Sequence, residues 1–152
     1  MAATATAKES SASAALAVVT PEGKNFDLTT MRGHDVLVHF WATWCAPCVK
    51  EIPALESFYE RYRARGVEVV ALSEGRMPDI DDVHHIVHHT NMRYTAAMAH
   101  KASQNSFGDP ASVPVTYVLD AGGSVRAEMR PDTHPVMEEN LAQIVDPPLG
   151  AP

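Results

Sequence analysis

The sequence predicts an α/β fold: a central mixed sheet flanked by helices, with an N-terminal hairpin and a central insertion. Two observations carry this. A near-continuous apolar run, Asp35 to Ala42, is followed by an amphipathic stretch and then by a second apolar run, Gly66 to Ser73. Strand, helix, strand in that order makes a right-handed crossover between parallel strands. Hairpin patterns lie on both sides of this unit, turning at Pro21-Glu22-Gly23-Lys24 and at Ala121-Gly122-Gly123, and these add antiparallel strands.

Residues 1–15, MAATATAKESSASAA, are small and polar and read as a flexible lead-in. They lack the basic start and apolar core of a signal peptide. An N-terminus from which a signal peptide or membrane anchor had been removed would look the same. The folded domain is expected over residues 16–145. ALAVVTPEGKNFDL alternates around its turn as a hairpin does. DVLVHFWA suits a central strand buried on both faces. From about Cys45 to Ala64, apolar Val49, Ile52, Leu55, Phe58, Tyr59 and Tyr62 recur at three and four, so one helix face is buried. Pro53 should kink this helix and Gly66 should end it. GVEVVALS is the second buried strand. MPDIDDVHHIVHHTNM is a helix with acids in its first turn. RYTAAMAHKASQNSFG reads as a short strand and a short helix. VPVTYVLDAGGSVRAEM is the second hairpin, and DTHPVMEENLAQIV a closing helix with Pro135 in its first turn. Residues 146–152, DPPLGAP, are expected to be a flexible tail.

With 152 residues, 45% of them apolar, the chain is long enough for one domain with its own core. The net charge of −7 argues against nucleic acid or an anionic membrane surface as the main partner. No run approaches the ~18 apolar residues of a bilayer span. Two cysteines are too few to staple a fold, so the core must hold it.

Both cysteines and both tryptophans fall within WATWCAPCV, residues 41–49. A pair at this spacing can be a structural disulfide, half of a zinc site or a redox centre. Its place at a strand-to-helix junction is where α/β folds put their chemistry. A bridge there closes a very short loop and constrains the unfolded chain weakly, which weakens the structural reading. Zinc needs four ligands, and only histidines could complete the set. The helix start favours a thiolate at Cys45, the nucleophilic form. Cys48, one turn inside, can resolve a mixed disulfide. Ala46-Pro47 stiffens the loop, and Pro47 needs no donor partner in a first turn. The redox reading fits best.

RGHDVLVHFWATWCAPCVKEIP (32–53) and SVPVTYVLDAGGSV (112–125) resemble the thioredoxin superfamily, and within it the TlpA/ResA/DsbE-type extracytoplasmic members. The resemblance spans roughly residues 16–145 with a central insertion between Ser73 and Ser112. It implies a thioredoxin fold and a thiol–disulfide oxidoreductase exchanging with disulfide-bearing or dithiol partner proteins, mostly as a reductant fed by an upstream electron donor. It further implies a redox-active Cys45–Cys48 disulfide with no other cofactor, a monomer, and a periplasmic or membrane-anchored location, the cytoplasm being the alternative. Pro114 takes the place of a cis-proline facing the cysteines, with Val113 free to pair with an extended substrate segment. Glu51 matches a glutamate that tunes the thiols or relays a proton, the bland alternative being a solvated helix residue. His39 is a departure from the aspartate or asparagine of relatives. It could accept a proton from Cys48 near neutral pH, or be a neutral core histidine. Trp44 is expected on the surface beside the nucleophile and Trp41 in the core. FGDPASVP does not match the glycine- and glutamate-containing stretch of the cytochrome c maturation branch.

Two other functional classes are compatible with parts of the sequence. A thiol peroxidase related to peroxiredoxins would need threonine where Ala42 stands. A copper- or zinc-binding module would use His84, His85, His88 and His89, which form one face of a helix as two i,i+4 pairs. The bland alternative is a solvated face near a helix C-terminus, where positive charge is favoured.

Overall fold

In the computed structural model, which describes residues 13–75 and 80–150, the first alternating stretch folds as a hairpin of β1 (Leu16–Val19) and β2 (Asn25–Asp27). A 3-10 turn over Leu28–Met31 leads to β3 (Val36–Trp41), in which every residue is buried. Helix α1 (Ala46–Tyr62) follows, runs on through Pro53 and tightens into a 3-10 turn at Arg63–Arg65. Gly66, at φ 93°, closes it in the left-handed conformation that glycine adopts without penalty. β4 (Glu68–Ser73) lies parallel to β3, completing the predicted crossover.

The insertion begins with α2 (Ile80–His89), whose Val83 is buried while Ile80, Ile86 and Val87 pack beside it. The Met77-Pro78-Asp79 start read for this helix lies outside the described residues. β5 (Thr95–Met98) pairs parallel with β4. The short helix predicted next is a 3-10 turn at Ala99–Lys101, and it is followed by an unpredicted strand, β6 (Ala102–Asn105). β6 pairs antiparallel with β1. β7 (Val115–Leu119) and β8 (Val125–Met129) form the second hairpin.

Two readings of the chain ends are corrected. The closing helix, α3 (Glu138–Gly150), starts after Pro135. Residues before it are held in a turn by the Arg130 carbonyl, which accepts the N–H groups of Thr133 and His134. The α3 backbone also continues through Gly150, so most of the stretch expected as tail is helical. Of the expected lead-in, residues 1–12 lie outside the described residues. The three that follow are tied down: Ala14 N–H donates to Gly123 O and Ala15 N–H to Ser106 Oγ.

The molecule is layered. A mixed sheet in the order β5-β4-β3-β7-β8 carries the helices on one face and the small β2-β1-β6 sheet on the other. Side chains of β3 alternate between two cores. Leu37 and Trp41 join Ile52, Leu55, Phe58 and Leu141 beneath the helices. Val36, Val38 and Phe40 join Leu16, Val18, Phe26 and Leu28 beneath the small sheet. Among the described residues, no helix is long and apolar enough to cross a membrane.

Phe58 is fully buried and stacks on Tyr62 with ring centroids 4.5 Å apart. Phe58→Ala is expected to cost about 3–5 kcal/mol through lost burial and the cavity left behind. Urea unfolding should show the midpoint falling while the slope stays unchanged.

Candidate active site

The site is assembled where β3 ends and α1 begins. Cys45 occupies the N-cap of α1 in extended conformation. Its sulfur takes the place of the usual hydroxyl or carboxylate oxygen and accepts the Cys48 N–H at 3.2 Å. A helix start leaves its first N–H groups without backbone partners and carries positive potential, so a sulfur there is stabilised as an anion. Pro47 lies in the first turn, where its missing N–H costs nothing. The two cysteines form a disulfide with Cα atoms 5.3 Å apart.

The cysteines differ in access. Cys45 retains 6% exposure and Cys48 none. An incoming sulfur can therefore reach Cys45 first. Trp44 beside it is 71% exposed, whereas Trp41 is buried in the core. The loop before β7 meets the pair from the far side. The Val113–Pro114 bond is cis, and Val113 O lies 3.8 Å from Cys45 Sγ. Antiparallel pairing of β7 with β3 brings this loop into place.

Two ionisable groups stand on the helix side of the sheet, Tyr94 buried and Glu51 half-buried. Glu51, one helical turn beyond Cys48, is a neighbour of that residue on the helix surface. Burial raises its carboxyl to about 7, partly offset by the Val136 N–H, and its Oε1 has no hydrogen-bond partner. Tyr94, which the sequence gave no reason to single out, is also nearly buried with an unpartnered hydroxyl. Its pKa is raised by burial and by the charges of Glu56 and Glu51.

His39 is held differently. Its Nδ1 pairs with Thr116 Oγ1 at 2.8 Å, a partner supplied across the β3–β7 ladder. Complete burial lowers its pKa to about 3. The imidazole is therefore neutral near pH 7, which favours the core-histidine alternative over the one in which it takes a proton from Cys48. The core-histidine reading describes it better.

His84, His85, His88 and His89 are exposed along α2. They do not join the cysteines. His84 and His88 instead line a cavity with Glu22 and Met92.

Comparison with known proteins agrees with this geometry. The family described as Redoxin matches residues 3–143. The thiol-disulfide oxidoreductase ResA of Bacillus thuringiensis subsp. konkukian is 31% identical over 124 residues, covering 81% of this chain and 70% of that protein. A crystal structure of a thioredoxin-family thiol:disulfide interchange protein from Chlorobium tepidum has a TM-score of 0.74. It is 24% identical and covers 91% of this chain and 95% of its own. A DsbE-type structure from Chlorobium tepidum has a TM-score of 0.73 at 24% identity, covering 90% and 94%.

The raised Glu51 pKa has a definite sign. Its folded value, about 7, lies above the ordinary 4.5, so the native state holds the proton more tightly. Between those limits the unfolded chain binds fewer protons, and stability falls as pH rises. Urea unfolding of the oxidised protein at several pH values should show this decline from about pH 4.5 to 7. Glu51→Gln should flatten it.

Proposed function

The chain belongs to the redoxin family and is a thiol–disulfide oxidoreductase of the TlpA/ResA/DsbE-like kind within the thioredoxin superfamily; from this we propose that Cys45 and Cys48 are its catalytic pair and that it works as a reductant. The observation that carries the assignment is the Cys45 sulfur capping α1 over a fully buried Cys48. In the reduced protein the Cys45 thiolate attacks one sulfur of a partner disulfide. That S–S bond breaks, and the departing thiolate takes up a proton. A mixed disulfide now joins the two proteins. Cys48, as thiolate, attacks Cys45 Sγ, the partner leaves as a dithiol, and the Cys45–Cys48 bond closes. Two electrons have passed from the pair to the partner. A dithiol donor upstream restores them by the reverse sequence.

The surrounding residues have separable roles. The helix start and the Cys48 N–H favour the Cys45 thiolate. The exposed Trp44 offers apolar contact to a docking partner. Val113 presents its backbone beside the sulfur, where an extended segment can pair with it. Pro114 places that backbone. Glu51 holds its proton up to about pH 7 and can pass it to a departing thiolate. Neither a metal nor an organic cofactor takes part in this scheme. We place the protein outside the cytoplasm, on the resemblance to extracytoplasmic members, and acting as a monomer.

Cys48→Ser should accumulate a mixed disulfide between Cys45 and its partner, visible as a reductant-sensitive band on a non-reducing gel. Cys45→Ser should abolish reduction of a model disulfide substrate. The reduction potential of the pair should fall nearer to about −270 mV, as in thioredoxin, than to the about −120 mV of a strong oxidant. A value at the oxidising end would overturn the reductant direction while leaving the catalytic pair intact.

A further inference from the structure

Tyr94 is a buried titratable group that the disulfide exchange leaves without a task. We propose that it is a positioning residue for that chemistry: its hydroxyl donates a hydrogen bond to the Glu51 carboxylate when Glu51 gives up its proton, an inference that rests on the proton transfer assigned to Glu51 above.

Tyr94 immediately precedes β5 and lies in the core layer under the helices, together with both cysteines. It is 4% exposed, and its hydroxyl oxygen is buried with no hydrogen-bond partner. A buried phenol ordinarily finds one, because a polar group left unpaired in the interior is costly. Helix α1 holds the ring in place. It meets Tyr59 of that helix edge-to-face, with centroids 6.0 Å apart. The residue before it is clamped to the same helix. Arg93 N–H and Nε–H donate to the two oxygens of Glu56, each at 3.0 Å, and the guanidinium also pairs with Glu60.

Tyr94 feels the charges of two α1 carboxylates, Glu56 and Glu51. Both oxygens of Glu56 are engaged by Arg93. Glu51 Oε1 is buried and has no partner. An orphaned donor and an orphaned acceptor thus share one layer, and pairing them satisfies both. The other groups around them leave this pairing open. Cys48 lies one turn before Glu51 on α1. The Val136 N–H already bonds the Glu51 carboxyl. Helix α2 packs on this layer with the uncharged Val83, Ile86 and Val87.

The proton balance is simple. Neutral Glu51 passes its proton to the departing sulfur, which leaves as a thiol. The carboxylate left behind accepts a charge-assisted hydrogen bond from Tyr94, which keeps its own proton. Burial and the charges of Glu56 and Glu51 hold that proton firmly, so Tyr94 remains a donor throughout. In the reverse half-reaction a thiol returns a proton to Glu51. A donor aimed at the charged form favours ionisation, so removing it should make Glu51 titrate at higher pH.

The test is carboxyl ¹³C NMR of the full chain, labelled at glutamate, with its disulfide intact. The Glu51 resonance is identified by its loss in Glu51→Gln. Tyr94→Phe keeps the ring against Tyr59 and removes only the oxygen. It should raise the Glu51 midpoint by about one pH unit. Tyr117→Phe, in the core layer on the opposite face of the sheet, should leave it within about 0.2 units. An unchanged or lowered midpoint in Tyr94→Phe overturns the proposal. A second measurement separates Tyr94 from Glu51: the rate at which the reduced protein cleaves a model disulfide, followed from about pH 5 to about 9. Glu51→Gln should alter this profile, and Tyr94→Phe should displace it to higher pH. If Glu51→Gln leaves the profile unaltered, Glu51 moves no proton and both assignments fall. If Glu51→Gln alters it and Tyr94→Phe does not, the role of Tyr94 falls alone.

Discussion

A sulfur atom caps α1. The Cys48 N–H that would otherwise lack a partner points at Cys45 Sγ, and the positive end of a 17-residue helix lies behind it. Once the disulfide is reduced and that sulfur is a thiolate, a hydrogen bond to the charged acceptor contributes about 1.5–3 kcal/mol, roughly twice a neutral one. The rest of the architecture keeps that sulfur where it is. β3 delivers it from a strand buried on both faces. Cys45 N–H donates to Ala42 O and fixes the turn between strand and helix. β7, paired against β3, sets Val113 O across from the sulfur. The fold thus supplies a fixed electrophilic or nucleophilic atom with one open side.

The ionisable groups near the pair are governed by a single cause, burial, acting on groups of opposite charge. It keeps His39 neutral by holding the proton off, and Glu51 neutral by holding the proton on. Below neutrality neither of these two groups carries a charge. Near pH 7 the Glu51 carboxylate appears within a helical turn of Cys48 and disfavours a second negative charge there. The histidine cannot compensate, since its proton affinity is far too low.

Much of this was legible in the sequence wherever a segment's own residues decide its structure. The all-apolar β3, the three-and-four spacing of α1 and the glycine turn before β8 declared themselves directly. So did the cysteine pair at a strand–helix junction. What stayed hidden depends on partners far along the chain. β6 reads Ala-Ser-Gln-Asn with no apolar alternation, and it is a strand because β1 offers it an edge. α3 begins late because the Arg130 carbonyl holds a turn that no local pattern announces. Thr116 matters only once β3 pairs with β7, which is why the histidine looked like a candidate base. Glu51 owes its burial to tertiary packing, and helix periodicity alone left it ambiguous between a solvated and a tuned carboxylate.

The alternation of β3 between two cores has a thermodynamic corollary. Leu37 and Trp41 belong to the layer under the helices, and Val36, Val38 and Phe40 to the layer under the small sheet. Peeling away either layer would expose one side of the same strand and forfeit the packing that orders the other. The two cores therefore share one cooperative unit rather than forming separate foldons. The amide protons of β3 should be among the last in the chain to exchange, doing so only through global opening. The redox centre, rooted at the end of that strand, is anchored to the most slowly opening part of the molecule.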